Sequence, residues 1–211
     1  MNPIICYSLS VVAGYLLGSC PNGFLIARTR GIDIRQHGSG NIGATNVLRV
    51  LGKSWGYLVF FLDAMKGLVA VEIAYILATK SPQINHPEIV GIVAGLSCIL
   101  GHTFPFWLRF RGGKGVATSA GVLLGLMPIA VISVFLIWLG IFKITRYVSI
   151  ASIAAAAALP LFVSLYLYLK WISGPTLLPF SILIAAVVIW RHRSNIARLY
   201  QGSEERFVSK R

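Results

Sequence analysis

Three segments of this chain are rich in glycine, asparagine, histidine and basic residues, which are the residue types that bind anions. They span residues 28–53, 109–118 and 191–211. Glycine lets backbone N–H groups approach an anion closely, and lysine and arginine add charge and directed hydrogen bonds. Long apolar runs separate the three segments. A fold that gathered them at one place would suit an anionic substrate better than passive anchoring.

The first segment contains a match to the pattern GxGxxG over residues 38–43. No β-strand is predicted before it, which disfavours a Rossmann dinucleotide site. The glycines instead predict a backbone nest for phosphate, supported by neutral and charged side chains; a flexible loop with ordinary turn glycines is the alternative. The residues predicted to serve this site are Gly38, Ser39, Gly40, Asn41, Gly43, Asn46 and Arg49, with Arg35 adding charge.

The second segment centres on a lysine between glycines, Gly113-Lys114-Gly115. It is not a Walker A loop, because glycine rather than serine or threonine follows the lysine. An apolar helix is predicted immediately after it, so Lys114 would lie beside free N–H groups at a helix N-terminus, where anions are favoured. We therefore predict that Gly113 and Lys114 bind phosphate. The alternative is a basic flank whose lysine reaches the membrane surface.

Two polar groups fall within apolar runs. His102 lies inside or at the end of the third run, where a histidine is costly unless it is paired or hydrated, and a hydrogen bond between helices is the alternative to a functional role. Asp63 and Lys66 are three residues apart on one face of the second run. That spacing predicts a salt bridge within the membrane that supports packing.

The third segment leaves the last apolar run in a helical pattern. His192 and Asn195 are about one turn apart and could face the same site. The alternative is a solvated tail that binds lipid headgroups.

Composition places the chain among integral membrane proteins, since 56% of its 211 residues are hydrophobic and 12% are charged. The net charge is +13, but no recognisable nucleic-acid module lies between the apolar runs. We therefore expect membrane lipids, and not nucleic acid, as partners. The six acidic residues are dispersed apart from the pair Glu204 and Glu205, which argues against a metal site. We predict no metal and no cofactor.

Apolar runs of spanning length cover residues 3–27, 55–79, 89–108, 115–142, 147–169 and 175–190. Six crossings would put the basic segments on opposite faces, against the positive-inside rule. Splitting the fourth run at Gly125–Pro128, where proline can end a helix, gives seven crossings and leaves only Lys66, Lys80 and Lys170 away from the inner face. We therefore predict an all-α, seven-span domain over residues 1–211, with the N-terminus outside, the C-terminus cytoplasmic and a short or broken helix around 115–128.

Together, the motifs resemble the bacterial acyl-phosphate:glycerol-3-phosphate acyltransferases, known as the PlsY family. Their order and spacing cover essentially the whole chain. The matching stretches are residues 18–23, Asp33-Ile34-Arg35, 38–49, His102, 112–118, 191–196 and Gly202.

The resemblance implies a seven-span enzyme of the bacterial inner membrane with its active site at the cytoplasmic face. The 1-hydroxyl of glycerol 3-phosphate would attack a long-chain acyl phosphate, giving 1-acylglycerol 3-phosphate (lysophosphatidic acid) and phosphate, the first step of phospholipid synthesis. Transient contact with the upstream acyl-phosphate-forming enzyme and a downstream acyltransferase is a further expectation. The His-x-x-x-x-Asp motif of other glycerol-phosphate acyltransferases is absent, since no aspartate stands five residues after any of the four histidines.

An acyl phosphate is already activated, so positioning and fixed hydrogen-bond donors can supply most of the catalysis. We hypothesise that the 38–43 loop, with Ser39 and Asn41, holds the acyl phosphate, and that Lys114, Arg49, His192 and Asn195 hold glycerol 3-phosphate. His102 would accept a proton or orient the site, unless the substrate phosphate takes the proton itself.

Three other functions are considered. A transporter of a phosphorylated metabolite would place polar groups at both faces or at the midplane. A CDP-alcohol phosphotransferase would need clustered aspartates for metal, and these are absent from the sequence. A non-catalytic scaffold would show no activity after purification.

Overall fold

The computed structural model describes residues 1–207, so Lys210 and Arg211 of the predicted basic tail lie outside the described residues. The described chain contains helices and turns and no strand, which confirms the all-α prediction. The chain divides into two compact units, Met1–Leu126 and Met127–Arg211. The boundary between them falls at the Gly125–Pro128 break predicted from the sequence.

The first unit contains six helices: α1 (Pro3–Ser19), α2 (Asn22–Thr29), α3 (Ala44–Leu51), α4 (Lys53–Thr79), α5 (Pro87–Thr103) and α6 (Val116–Leu126). The apolar run predicted as one span over 3–27 is therefore two helices. Pro21 explains the break, because the residue before a proline is pushed out of the helical region, and Cys20 is extended with ψ 113°.

Small residues bring the helices of this unit into close contact. Gly14 and Gly18 on α1 lie against the backbone of Ala94 and Cys98 on α5, where an added Cβ would collide. Gly121 on α6 lies against Ala64 of α4 in the same way. Such contacts are how helices associate in lipid, where dispersion and close approach replace the hydrophobic effect.

The second unit contains α7 (Pro128–Thr145), α8 (Val148–Tyr168), α9 (Leu177–Arg191) and α10 (Arg193–Tyr200). Pro128 begins α7 at a position where proline is favoured, because the missing N–H has no helical partner there. The predicted short helix is thus confirmed as the 11-residue α6, separated from α7 by one residue. The chain after α10 folds back, and the N–H of Phe207 donates to the carbonyl of Arg146 at 2.8 Å.

Within residues 1–207, four stretches are long and apolar enough to cross a membrane: Pro3–Thr29, Pro87–Leu108, Pro128–Thr145 and Val148–Tyr168. A fifth is possible if α9 and α10, bent by 50°, form one span. Large apolar side chains are exposed on these helices, including Ile4 and Leu161, as lipid-facing residues would be. The chain is therefore a multi-span membrane protein by length and composition.

Candidate active site

The glycine-rich loop of the first unit links a 3-10 turn at Ile34–Gln36 to the start of α3. Gly38 and Gly40 have positive φ values of 58° and 69°, which glycine adopts without strain. Ile42 is 2% exposed and packs into an apolar cluster beneath the loop. Burial of Ile42 thus attaches the loop to this apolar cluster, while the polar residues of the loop remain at the surface.

Asn46 holds this loop in shape from the first turn of α3. Its side-chain oxygen accepts the N–H of Ser39 at 2.9 Å. Its amide nitrogen lies 2.9 Å from the carbonyl of Asn41, 3.0 Å from that of His37 and 3.3 Å from that of Ile34. Because Asn46 is only 2% exposed and bonded in this way, the structure places its amide inside the loop rather than at a substrate surface.

Two arginines pair with Asp33 beside the loop. Arg35 donates to both carboxylate oxygens, at 2.9 and 2.7 Å, and Arg28 donates to one of them at 3.1 Å. The hydrogen bond from the Arg35 guanidinium holds the pKa of Asp33 well below its usual range. Arg35 also lies 4.8 Å from the ring centroid of Phe24. This bidentate pairing fixes the orientation of the guanidinium.

A cavity of about 480 Å³ opens between the loop and the segment that follows α5. Its lining residues are Asp33, Arg35, Gln36, Ser39, Gly40, Asn41, Ile42, Arg111 and Gly112. The structure thus brings Ser39, Gly40 and Asn41 together with two arginines. Hydroxyl, amide and guanidinium donors around one cavity can bind an oxyanion.

Sequence reasoning missed Arg111 and Asp33 at this cavity and noted Arg35 only as added charge. Arg111 directly precedes the Gly112–Gly113 pair, and that adjacency was the available signal. Which basic residue of the 109–114 stretch faces the loop depends on the turn geometry, which residue type alone does not reveal.

The segment carrying Lys114 folds back onto the end of α5. The N–H groups of Gly112 and Gly113 donate to the carbonyls of Thr103 and His102 at 3.0 and 3.1 Å. These bonds satisfy carbonyls that the helix end leaves without helical partners. Lys114 then stands two residues before α6 begins at Val116, close to the helix N-terminus as predicted. The predicted phosphate ligand Arg49 lies in the last turn of α3.

His102 lies in the last turn of α5 and is 5% exposed. The Lys66 nitrogen is 2.9 Å from its Nδ1 atom. Lys66 also lies 3.0 Å from Asp63, which confirms the salt bridge predicted from the sequence. The spacing of Asp63 and Lys66 indicated their pairing, but it did not indicate that His102, 36 residues further on, completes the cluster.

His192 and Asn195 belong to the second unit, and both are buried there. His192 stands between α9 and α10, with Nδ1 2.8 Å from the carbonyl of Val188. Asn195 donates to Glu204 at 2.6 Å, and Ser149 donates to the same carboxylate oxygen at 2.9 Å. Glu204 was not predicted as a site residue. Its carboxylate holds the amide of Asn195 in place.

Comparison with known proteins identifies relatives of this chain. A family model described as glycerol-3-phosphate acyltransferase matches residues 8–202. A glycerol-3-phosphate acyltransferase of Aquifex aeolicus is 46% identical over 198 residues, covering 93% of this chain and 97% of that protein. One from Geobacter sulfurreducens is 45% identical over 199 residues, covering 94% and 96%.

Solved structures give the same result. The chain is similar to the crystal structure of PlsY (YgiH), an integral membrane glycerol 3-phosphate acyltransferase, in its glycerol 3-phosphate form, with a TM-score of 0.84, 44% identity and 96% coverage of both chains. The lysophosphatidic acid form of PlsY gives a TM-score of 0.82 at 43% identity, with the same coverage. With the family model matching nearly the whole chain, this protein belongs to the glycerol-3-phosphate acyltransferase family.

Proposed function

We propose that this chain transfers an acyl group from acyl phosphate to the 1-hydroxyl of glycerol 3-phosphate, releasing phosphate and 1-acylglycerol 3-phosphate. The observation that carries the proposal is the cavity in which Ser39, Gly40 and Asn41 meet Arg35 and Arg111. These groups suit the phosphate of an acyl phosphate. Family membership supports glycerol 3-phosphate as the acceptor, and the sequence resemblance supports acyl phosphate as the donor.

In this reaction the C1 oxygen of glycerol 3-phosphate attacks the acyl carbon. A carbon–oxygen ester bond forms, the bond from the acyl carbon to the phosphate oxygen breaks, and the hydroxyl proton ends on the released phosphate, directly or through a side chain. Fixed donors from the loop and the arginines stabilise negative charge as the phosphate leaves. The bidentate pairing of Arg35 with Asp33 keeps that donor oriented before substrate arrives.

Lys114, Arg49, His192 and Asn195 remain our proposed ligands of glycerol 3-phosphate, on the strength of the sequence resemblance. Gly38, Gly43 and Gly113 would shape the backbone around the two phosphates. For Asn46 we now favour the organisation of the loop over direct contact with substrate, because its amide is bonded to the loop backbone.

We further propose seven spans with the N-terminus outside and the site facing the cytoplasm of a bacterial inner membrane. Besides the four apolar stretches, α4 has 27 residues, more than the roughly 20 a crossing helix needs, and α9 is apolar. The 11-residue α6 spans only about 16 Å at 1.5 Å per residue and would need shielding by its neighbours. Its close packing on α4 through Gly121 would provide that shielding.

The test is phosphate release by the purified, detergent-solubilised chain given palmitoyl phosphate and glycerol 3-phosphate, with EDTA present and acyl-CoA assayed separately as donor. We expect release that depends on both substrates, together with formation of lysophosphatidic acid. Turnover with acyl-CoA alone would refute the donor assignment. Counterflow of glycerol 3-phosphate in liposomes without turnover would favour a transporter.

A matched pair of variants links the activity to the cavity. Arg111→Gln removes a lining guanidinium, whereas Arg109→Gln removes an arginine two residues away that is not among the cavity-lining residues. We expect the first variant to lose at least about tenfold in kcat/KM, since a charged hydrogen bond contributes about 1.5–3 kcal/mol. The second should stay within twofold of wild type, and equal losses in both would show that the cavity is not the site.

A further inference from the structure

Lys66 makes three short contacts in a buried cluster of the first unit. Its ammonium nitrogen lies 3.0 Å from Asp63 Oδ1, 2.9 Å from the carbonyl oxygen of Cys20 and 2.9 Å from His102 Nδ1. An ammonium group has three N–H donors and no acceptor. The three contacts therefore match its three protons.

This arrangement favours one of the two neutral tautomers of His102. A donor that faces Nδ1 requires a lone pair there, so a neutral ring must carry its proton on Nε2. Asp63 pairs with the lysine at 3.0 Å, and it also accepts a hydrogen bond from the side chain of Asn22 at 3.0 Å. Asp63, Lys66 and His102 are 2%, 7% and 5% exposed, so water does not compete effectively for these bonds.

The other side of the imidazole ring lies against the segment that carries Lys114. An added Cβ on Gly113 would meet the ring first at Nε2. The His102 carbonyl also accepts the Gly113 N–H at 3.1 Å. The backbone and the ring of His102 therefore both contact the residue that precedes Lys114, and the cluster behind the ring fixes its position.

We propose that Asp63 and Lys66 are positioning residues that hold His102 neutral with its proton on Nε2, so that His102 acts as a hydrogen-bond donor beside the Gly112–Lys114 turn and is not the proton acceptor of the reaction. The part of this inference that concerns catalysis rests on the function proposed above. It decides between the two roles that the sequence left open for His102.

The direct test needs no activity. Protein labelled with 15N-histidine in detergent is examined by long-range 1H–15N correlation at neutral pH, with the His102 signals assigned by their loss in His102→Gln. We expect a neutral ring protonated at Nε2 in wild type. A proton on Nδ1, or a doubly protonated ring, would overturn the proposal even if acyltransferase activity is normal.

Variants test the role of the lysine. In Lys66→Met we expect the fixed tautomer to be lost, and kcat to fall more than tenfold with a smaller change in KM. Lys66→Met alone leaves the Asp63 carboxylate buried without its lysine partner, which could destabilise the fold. The double variant Asp63→Asn with Lys66→Met removes both charges and so avoids this source of misfolding. Lys80→Met, which removes an exposed lysine at the end of the same helix, should leave both the spectrum and the activity unchanged. A wild-type tautomer in the double variant would show that Lys66 does not set it.

His102→Gln separates a donor from a base. The glutamine amide can donate a hydrogen bond near the position of Nε2–H but cannot accept the substrate proton. We expect it to retain activity within about tenfold, whereas loss of a general base costs typically about 10²–10⁴-fold. A loss in that higher range, in protein with wild-type thermal stability, would assign the proton to His102. If no acyltransferase activity is found even in wild type, the proposed function fails while the NMR result stands.

Discussion

Gly113→Ala tests the contact between the Lys114 segment and the His102 ring. Gly113 is not among the residues with positive φ, so alanine causes no backbone strain of that kind. The added Cβ would meet Nε2 most closely and would lie 2.9 Å from Cε1 and 3.1 Å from Cδ2. Carbon atoms pack best at about 3.5–4.0 Å, so the ring or the turn must shift by on the order of 1 Å.

A displacement of that size should lower the rate of the reaction strongly while the protein remains folded. Misplacing a catalytic group by about 1 Å can cost on the order of 10²-fold in rate. We therefore expect kcat for phosphate release from palmitoyl phosphate to fall by about that factor. Gly140→Ala is the control, because nothing lies within 4 Å of its added Cβ, and it should stay within twofold of wild type.

A double-mutant cycle identifies the cause. In a His102→Ala background the ring is absent, so adding Gly113→Ala should cost little further activity. Activity of Gly113→Ala within threefold of wild type, or an equal cost in both backgrounds, would refute the reasoning. Thermal unfolding of each variant in the same detergent separates loss of rate from loss of fold.

Three further predictions concern Lys114, Asn46 and Glu204. Lys114→Ala should raise KM for glycerol 3-phosphate at least about tenfold, since charge-assisted bonds contribute about 1.5–3 kcal/mol, and the exposed Lys143→Ala should not. Asn46→Asp should lower thermal stability more than Asn46→Ala, because a carboxylate would face three backbone carbonyls; equal stabilities would contradict the bonding described. Burial tends to raise the pKa of Glu204, but hydrogen bonds from three side chains outweigh this effect and lower the pKa. The Glu204 carboxylate should therefore stabilise the folded protein at pH 7. This stabilisation should begin to fade below about pH 4.3, the ordinary pKa of glutamate, and be lost as the pH falls through the lowered pKa of the folded state. Unfolding at pH 7 and pH 4 should show a stability gap between wild type and Glu204→Gln that narrows in acid, and a gap of equal size at both pH values would contradict this prediction.

The helical class and the break at Gly125–Pro128 could be predicted because both depend on local properties of the chain. Apolar runs form helices in lipid, and a proline can end or kink a helix, although Pro160 stands inside α8. The break after Ser19 had the same kind of signal at Pro21, but the continuous apolar run concealed it. The apolar runs thus indicated the approximate extent of most long helices, but they missed the break at Cys20 and the end of α5 at Thr103.

Some of the residues that line the cavity were singled out from the sequence. Ser39, Gly40 and Asn41 were assigned to an anion site from their glycine-rich surroundings, and the structure places all three at one cavity. Asn46 has the same composition signal, yet its side chain is directed into the loop. Residue type indicates the capacity to bind an anion, but the direction of a side chain depends on the turn that carries it.

The sequence alone determined the family resemblance, the membrane class and the segments that carry chemistry, because these follow from hydropathy, motif order and spacing along the chain. Only the tertiary structure decided that Arg111 reaches the cavity beside the glycine-rich loop and that Lys66 bonds to His102. Both depend on contacts between residues far apart in the chain. Such contacts are set by helix packing through small residues, and no local pattern encodes which polar groups that packing brings within hydrogen-bonding distance.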